Sequence, residues 1–386
     1  MTEARLEERT GEESTPDEEM CVLAVTSFRP AEVEHSVSHM SSKAVMVQIE
    51  PRTDRVRHIV DCYKQIQDAI STHEPTVILL DCFETMGIVV TLLARRHGIP
   101  VVARLVGDRW QAYEGVSLGD IRSVSAAIRY GVHRGCFTLN SLTFAHVSGF
   151  VTVSTALGAV VTSRTGIRQE AHGFVPVPLT KDTLQEGSSR RGRTAHGIDE
   201  ENIILTVTNL KYREKYDGLL TVVDELEPLL RENSTLGFVI AGSGRFLASL
   251  ETVLDERFES DVRGRIYTPG YVDSISDLYA AADVFVYVSY RDGYPNAVLE
   301  AQTAELPVVA NAAHGMRDQI VDGESGFLID PGERGQLRTR VQSLLENPSL
   351  RQQIGTRARE RVLAENSPEV VSQQLERTLK NIVLSV

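Results

Sequence analysis

The stretch Thr76–Val106, TVILLDCFETMGIVVTLLARRHGIPVVARLV, determines the predicted fold. It contains two short apolar runs, Thr76–Leu80 and Pro100–Val106, on either side of a segment with helical character, Gly87–Arg96. Neither run alternates polar with apolar residues, which is typical of parallel strands buried on both faces. The stretch therefore predicts a strand–helix–strand unit of a parallel sheet.

The same alternation continues on both sides of this stretch and begins again in the second half of the chain. Cys21–Thr26 and Ala44–Ile49 read as strands before it, and Asn202–Val207, Leu236–Ala241 and Val284–Ser289 read as strands after the restart. Alternating strands and helices are typical of doubly wound sheets that are covered by helices on both faces. We expect an α/β protein with two Rossmann-like, doubly wound parallel-sheet domains that face a central cleft, where such architectures bind ligands.

The chain of 386 residues is about twice as long as one ordinary hydrophobic core requires, so two domains are expected. The polar, Gly/Ser/Arg-rich stretch between the two alternating halves predicts a linker, and the acidic start has no apolar period. The predicted organisation is a disordered acidic tail (1–19), an N-terminal acceptor-binding domain (20–180), a linker (181–201), a C-terminal nucleotide-sugar-binding domain (202–365), and a closing helix (366–386) that packs back on the N-terminal domain.

Composition excludes several classes of protein. The net charge is −13, and the first 19 residues carry eight acids against two arginines, so the remaining body is mildly acidic and does not suit nucleic-acid binding. The four cysteines lack zinc-ligand spacing and predict no disulfide framework. The acidic N-terminus has no apolar segment of the kind that signal peptides contain, so a cytoplasmic protein is expected.

The stretch Ser289–Ala301, SYRDGYPNAVLEA, carries the chemistry. Asp292 follows a predicted strand, and Glu300 lies eight residues later in a helix that is predicted to begin at Pro295, because proline suits the first helical position. Two carboxylates are poor phosphate ligands, but they accept hydrogen bonds from sugar and ribose hydroxyls. The backbone amides at the start of the helix suit an anion; they belong to Gly293, Tyr294 and Asn296.

This stretch resembles glycosyltransferase family 4, also called group 1 glycosyl transferases. The family reads S-x-x-E-G-F-P-N-x-x-x-E-A-x-A-x-G-x-P-V-V-A, and Ser289–Ala310 reads SYRDGYPNAVLEAQTAELPVVA. The similarity extends to Leu278–Val286 (LYAAADVFV), Val321–Ile329 (VDGESGFLI) and Val207–Lys215 (VTNLKYREK), and it spans roughly residues 202 to 330.

The resemblance implies a GT-B fold in which the C-terminal domain holds a nucleotide sugar and the N-terminal domain holds the acceptor. It implies that Glu300 binds the ribose hydroxyls and that Asp292, with the amides after it, binds the donor sugar. Lys215 falls where the family places a lysine on the diphosphate, so Lys215 and Asp292 are the catalytic candidates. The base would lie near Tyr271 and Val272.

The remaining candidates line the predicted cleft or depart from the family pattern. Asp292 stands where the family usually has glutamate. Asn209 stands where the family has an arginine, its second cation on the diphosphate. Glu305 and His314 each stand where the family has a glycine. Three residues at the carboxyl ends of N-terminal strands are expected to contact the acceptor or a phosphate: Arg29, Asp108 and Arg109. For Asp108 and Arg109, the alternative is a structural ion pair. The strand Leu236–Ala241 is followed by Gly242 and Gly244, which predict a turn beside the cleft.

The function implied is that of a retaining glycosyltransferase, which moves a hexose-type sugar from a nucleotide-diphosphate sugar to a hydroxyl of a glycan, a lipid-linked molecule or a small molecule. No metal or other cofactor is expected. Two alternatives stay open at this point: a GT-B-like sugar-nucleotide epimerase, and a sugar-nucleotide-binding protein without activity.

The segment 121–169 has no Asp or Glu in 49 residues but has five arginines. In an acidic protein, a basic and partly apolar segment suits peripheral contact with an anionic membrane, at its inner face for a cytoplasmic protein, or with a polyprenyl-phosphate-linked acceptor. The alternative is a buried helix pair with a few exposed arginines.

Overall fold

The computed structural model describes residues 20–27, 29–50, 54–111, 123–181 and 183–385. The acidic tail predicted for residues 1–19 lies outside these ranges. Two parallel six-stranded sheets flanked by helices make up the fold, which confirms the predicted α/β architecture of two Rossmann-like domains.

The first sheet contains the strands of the N-terminal half in the order β2-β1-β3-β4-β5-β6, and its neighbouring strands are all parallel. Its central strands are buried on both faces, as their unbroken apolar runs predict. The strands are β1 (Cys21–Thr26), β2 (Lys43–Gln48), β3 (Val77–Asp81), β4 (Val101–Leu105), β5 (Gly149–Thr152) and β6 (His172–Phe174). The helices are α1 (Pro30–Val37), α2 (Arg55–His73), α3 (Glu84–Arg96), α4 (Val124–Phe144) and α5 (Thr155–Thr165).

The second sheet has the order β12-β11-β10-β7-β8-β9 and is also parallel throughout. Its strands are β7 (Asn202–Val207), β8 (Leu236–Ala241), β9 (Ile266–Gly270), β10 (Val284–Tyr287), β11 (Val308–Asn311) and β12 (Phe327–Ile329). The helices that follow α5 in the chain are α6 (Ser189–His196), α7 (Arg213–Glu232), α8 (Leu247–Arg257), α9 (Ser260–Arg263), α10 (Ile275–Ala281), α11 (Asn296–Thr303), α12 (Met316–Gln319), α13 (Gln336–Glu346), α14 (Pro348–Glu365) and α15 (Pro368–Leu384).

The segment predicted as a linker contains helix α6, which docks on α10. Asp277 of α10 accepts hydrogen bonds from the backbone amide of Ser188 (2.6 Å) and from Nη2 of Arg191 (2.8 Å). A Cβ at Gly192 would lie 2.3 Å from the carbonyl oxygen of Asp277, so only glycine permits this approach. Polar contacts and close backbone packing hold this helix, which is why its sequence shows no apolar period.

Helix α15 returns to the N-terminal domain. Its apolar side chains Val371, Leu375 and Leu379 are buried in the cluster that contains Val22 of β1. At the turn before this helix, the Asn366 side chain lies between the two domains. Packing of this kind fixes the angle at which the two sheets face each other.

Glu376 of α15 is the polar anchor of this contact. Its carboxylate accepts hydrogen bonds from the amide (2.8 Å) and Oγ (2.7 Å) of Ser41 and from the Oγ of Ser42 (2.5 Å), and Lys380 lies 3.1 Å away. Burial alone would raise the pKa of Glu376, but the hydrogen bonds from Ser42 and Ser41 outweigh burial and lower the pKa to about 2.

A lowered carboxyl pKa makes stability depend on pH. The ionised form is preferred in the folded state, so its contribution is complete above the ordinary glutamate pKa and is lost as the pH falls towards 2. We expect Glu376→Gln to lower the free energy of unfolding at pH 6 by up to about 3 kcal/mol, and at pH 3 by less than about half as much. Denaturant unfolding at both pH values measures this difference, with Glu369→Gln, at an exposed position of the same helix, as the control. An equal loss at both pH values would contradict the prediction.

Candidate active site

A cleft of about 730 Å³ lies between the carboxyl ends of the strands of the two sheets. Parallel strands bring the loops at their carboxyl ends to one edge, so both domains contribute to it. The residues that line it on the N-terminal side are Arg29, Asp81, Val106, Gly107, Asp108, Arg109, Gln111, Ser154, Ala156, Leu157 and Val160. Those on the C-terminal side are Asn209, Lys211, Tyr212, Lys215, Arg291, Asp292, Gly293 and His314.

The two catalytic candidates meet in this cleft. Lys215 lies in the first turn of α7, and its Nζ is 3.0 Å from Oδ1 of Asp292, which follows β10. Between them, the Tyr287 hydroxyl accepts a hydrogen bond from Lys215 (3.2 Å) and donates one to Oδ2 of Asp292 (2.6 Å). Burial, and then the charge of Asp292, raises the pKa of Tyr287 well above its usual value, so the phenol stays neutral and can donate.

Close packing of α7 on β10 brings this pair together. A Cβ at Gly218 of α7 would lie 2.1 Å from the carbonyl oxygen of Val288, so only a glycine lets the helix approach. The Asn311 side chain then fixes the end of the strand, because it accepts from the amide of Ser289 (3.0 Å) and donates to its carbonyl (2.9 Å). This packing thus fixes the positions of the ammonium and carboxylate groups.

Two further cations on the C-terminal wall were not predicted. Lys211 follows Asn209, whose Oδ1 accepts a hydrogen bond from the Lys211 amide (2.9 Å). Arg291 lies 3.3 Å from Glu214 and 4.7 Å above the ring of Tyr212. Both cations lie within two residues of a predicted site residue, but a charged residue in a loop gives no sequence signal that it faces a cleft rather than solvent.

The three N-terminal candidates all line the cleft. Arg29 pairs with Glu32 at 3.1 Å, and the Arg109 guanidinium lies 4.4 Å above the Phe83 ring. Oδ1 of Asp108 accepts hydrogen bonds from the amides of Trp110 (2.8 Å) and Gln111 (2.9 Å), which holds the loop after β4 in place. These contacts orient the groups and leave them at the cleft surface.

Several predicted donor-binding side chains lie outside the cleft lining. Glu300 in α11 accepts a hydrogen bond from the Tyr279 hydroxyl at 2.8 Å, and Tyr271 on the other flank is 76% exposed. Val272 packs against the hydrophobic core of the C-terminal domain. Residues at these positions can only touch a ligand that extends beyond the cleft along the edge of the sheet.

The start of α11 differs from the prediction. Pro295 is extended (φ −69°, ψ 122°) and caps the helix, which begins at Asn296. The Tyr294 side chain is buried between the domains, where its hydroxyl accepts from Asn366 (3.1 Å), so only its backbone is available to a ligand. The Asn296 side chain donates to Oε1 of Glu32 in the other domain (3.2 Å), because the short helix lies against the domain interface.

Gly242 and Gly244 shape the wall without lining it. Their φ values are 137° and 155°, and a Cβ at Gly242 would lie 1.8 Å from the carbonyl oxygen of Thr208. They therefore allow the loop that carries Asn209 to lie against the end of β8. His314 and Glu305, at the positions of family glycines, have positive φ values of 49° and 58°, and His314 lines the cleft.

Comparison with known proteins shows which sequences and structures the chain resembles. Residues 189–361 match the sequence model of the family described as Glycosyl transferases group 1. The crystal structure of Anabaena HepE with UDP and glucose has a TM-score of 0.66 and 17% identity, and the alignment covers 94% of this chain and 99% of that one. The first finding shows similarity to group 1 glycosyl transferases over less than half of the chain, and the second shows the GT-B fold.

Two relatives show how far the sequence similarity extends. The chain is 28% identical to EpsD of Bacillus subtilis over 318 residues, which is 78% of this chain and 75% of that protein. It is 26% identical to the capsular polysaccharide biosynthesis glycosyltransferase CapM of Staphylococcus aureus over 187 residues, 47% of each chain. For CapM, the similarity therefore spans only about half the length of the relative.

The loop that carries Asp292 also contacts the opposite domain, and this contact can be tested. A Cβ at Gly293 would lie 2.2 Å from the carbonyl oxygen of Val106, whereas a Cβ at Gly107 would meet nothing within 4 Å. We expect Gly293→Ala to lower the free energy of unfolding by about 1–3 kcal/mol, because backbone atoms of one domain must move away from the other. Gly107→Ala is the matched control and should change it by less than about 1 kcal/mol. Equal unfolding midpoints for both variants in thermal denaturation would contradict this contact.

Proposed function

We propose that the protein is a retaining glycosyltransferase of family 4 that moves a hexose-type sugar from a nucleotide-diphosphate sugar to an acceptor hydroxyl. The acceptor class is a glycan, a lipid-linked molecule or a small molecule. The GT-B fold, the match over residues 189–361 and the glycosyltransferase relatives support this proposal.

The charge of the C-terminal wall carries the proposal. Among the cleft-lining residues that the structure describes, this wall has three cations, Lys211, Lys215 and Arg291, against one carboxylate, Asp292. Arg291 also pairs with Glu214 at 3.3 Å, so the wall keeps an excess of one positive charge. The chain as a whole has a net charge of −13, so a positive wall is a local feature. A cleft lined by one sign of charge concentrates ligands of the opposite sign, and a diphosphate is such a ligand.

The mechanism follows from where charge develops. When the bond between the sugar and the diphosphate breaks, negative charge grows on the diphosphate. A cation about 4 Å away, at an effective dielectric constant of about 20, stabilises this charge by roughly 4 kcal/mol, from which the cost of desolvation is subtracted. In the proposed mechanism, Lys215 supplies this charge and Asp292 accepts hydrogen bonds from the donor sugar. The acceptor hydroxyl attacks from the face that the diphosphate leaves, and the departing phosphate oxygen takes its proton, so no protein base, metal or other cofactor is needed.

The donor extends along the wall in this proposal. Glu300 would bind the ribose hydroxyls, and the base would lie near Tyr271 and Val272, beyond the cleft lining. HepE, which shares the fold, is described in complex with UDP-glucose, so uridine diphosphate is the first ligand to test.

A thermal-shift screen against nucleoside diphosphates tests the donor class, because a ligand that binds only the folded state raises the unfolding temperature. We expect one diphosphate to stabilise the protein and its nucleotide sugar to be consumed with an acceptor. Release of nucleotide and an altered free sugar without acceptor would indicate an epimerase. Binding without turnover on any acceptor would indicate an inactive binding protein.

Removal of the central cation should abolish most of the turnover. We expect Lys215→Ala to lower kcat at least about 100-fold, which is the loss typical of one preorganised electrostatic group. Arg213→Ala is the matched control, since Arg213 lies in the same helical turn, pairs with Asp217 and does not line the cleft. Nucleotide release at saturating donor measures both, with circular dichroism to verify the fold. Wild-type kinetics for Lys215→Ala would remove this residue from the mechanism.

We also propose a cytoplasmic location with peripheral contact at an anionic membrane through the acid-free segment. Helix α4 exposes Ile128 (64%), Val132 (48%) and Leu142 (45%), and the neighbouring helix α3 exposes Leu92 (55%). Exposed apolar side chains beside basic ones suit insertion at a lipid surface. In the part of the chain that the structure describes, no helix combines the length and apolarity that a membrane span requires.

Vesicle sedimentation tests the membrane contact. We expect the protein to pellet with vesicles that contain phosphatidylglycerol more than with pure phosphatidylcholine, and the double variant Ile128→Ser, Val132→Ser to lose this binding. Leu363→Ser, which changes a 39%-exposed leucine on α14, is the control. If neither vesicle pellets the wild-type protein, the contact does not exist.

A further inference from the structure

Asp81 is a cleft residue for which the proposed mechanism has no use. It ends β3, it is 4% exposed, and it still lines the cleft. Two contacts of its carboxylate involve the same oxygen, Oδ2. This oxygen accepts a hydrogen bond from Thr26 Oγ1 (3.2 Å) and lies 3.7 Å from Nη1 of Arg104. Within residues 20–27, 29–50, 54–111, 123–181 and 183–385, no donor forms a hydrogen bond with Oδ1. One oxygen of a nearly buried carboxylate is therefore available to a ligand.

The buried side chain of Arg104 forms an ion pair with this carboxylate. Its side chain is 2% exposed and lies between two acids, 3.7 Å from Asp81 and 3.6 Å from Glu32. The pKa of Asp81 is raised, because burial outweighs the charges of Arg104 and then Arg109, which lower it. A desolvated carboxylate is a strong hydrogen-bond acceptor, because it has lost the water that would otherwise compete for it.

The charge of the N-terminal wall differs from that of the opposite wall. Its cleft-lining residues with known placement include two cations, Arg29 and Arg109, and two carboxylates, Asp81 and Asp108. Arg104, which is buried next to Asp81, lies 3.6 Å from Glu32 and so adds no net charge. This wall has no excess of positive charge for a phosphate or carboxylate group, but it offers both acceptors and donors to hydroxyl groups.

Asp81 also lies beside the loop that is proposed to hold the donor sugar. Gly293 abuts the carbonyl of Val106, just after β4, and β4 pairs with β3 in a register that places Ala103 opposite Leu80. Asp81 is the next residue of β3. An acceptor hydrogen-bonded to Asp81 would therefore be adjacent to the transferred sugar.

We propose that Asp81, positioned by Arg104, is the centre of an acceptor subsite that binds hydroxyl groups of an uncharged sugar or polyol. This inference rests on the proposed glycosyltransferase function and adds the acceptor class. Asp81 takes no proton in the reaction; it anchors hydroxyls other than the one that attacks.

The test compares two acceptor probes in the wild-type enzyme. With the nucleotide sugar selected by the screen, nucleotide release is measured with methyl α-D-glucopyranoside, with glucose 6-phosphate, and with water alone. We expect the neutral glycoside to stimulate release over hydrolysis at least about tenfold more than the phosphate does. Equal stimulation by both, preference for the phosphate, or no stimulation by the neutral glycoside would overturn the inference.

Two variants separate binding from support of the fold. Asp81→Asn should lower the stimulation by the glycoside at least about tenfold, and it should leave donor affinity and hydrolysis by water within about twofold of wild type. Asp68→Asn makes the same chemical change at an exposed position of α2 that does not line the cleft, and it should keep the stimulation. If both variants lose the stimulation equally, the loss does not come from the subsite at Asp81, and the inference is overturned. A donor that fails to bind the wild-type protein would overturn the proposed function instead, and should Asp81→Asn not fold, the comparison of probes still decides the acceptor class.

Discussion

The ion pair between Lys215 and Asp292 is the contact around which the site is arranged. The pair joins the start of α7 to the loop after β10 across 3.0 Å, with the neutral phenol of Tyr287 bonded to both. The pair is partly buried, so its mutual attraction must offset the cost of removing two charges from water. The two groups stay in place because Gly218 and Asn311 fix the elements that carry them. In the proposed mechanism, the diphosphate takes the place of Asp292 as the counter-ion of Lys215.

The second constraint is the arrangement of the two domains. Asn366 donates to the carbonyl of Val177 in one domain and to the hydroxyl of Tyr294 in the other, and α15 then packs on the N-terminal core. Gly293 and Asn296 bring the loop after β10 and the start of α11 against the opposite domain. The positive C-terminal wall thus faces an N-terminal wall of balanced charge, which gives the two halves of the cleft different chemistry.

The sequence predicts those features that repeat or that follow a known pattern. Cys21–Thr26, Asn202–Val207 and Leu236–Ala241 form strands with the predicted bounds, because a strand buried on both faces must be apolar along its whole length. Asp292 could be chosen because it lies eight residues before Glu300, and Lys215 because it stands at a lysine position of a separate family element. The structure brings the two together. Whether they bind a donor stays a prediction.

Features that depend on tertiary contacts could not be predicted in this way. Helix α6 is held by Asp277, which lies far away in the sequence, so its own residues looked like a linker. Tyr294 could not be recognised as an interface residue, because its partner Asn366 belongs to the other end of the chain. Asp81 could not be recognised as a cleft residue, because only the position of the opposite domain makes the end of β3 part of a cleft.

A crystal structure of the complex with the stabilising nucleoside diphosphate tests the central claim most directly. The account predicts that a diphosphate oxygen lies within about 4 Å of the Lys215 ammonium, the ordinary limit of an ion pair. It also predicts that the ligand runs along the C-terminal wall. A diphosphate bound elsewhere on the protein, with Lys215 and Asp292 still paired only to each other, would contradict it.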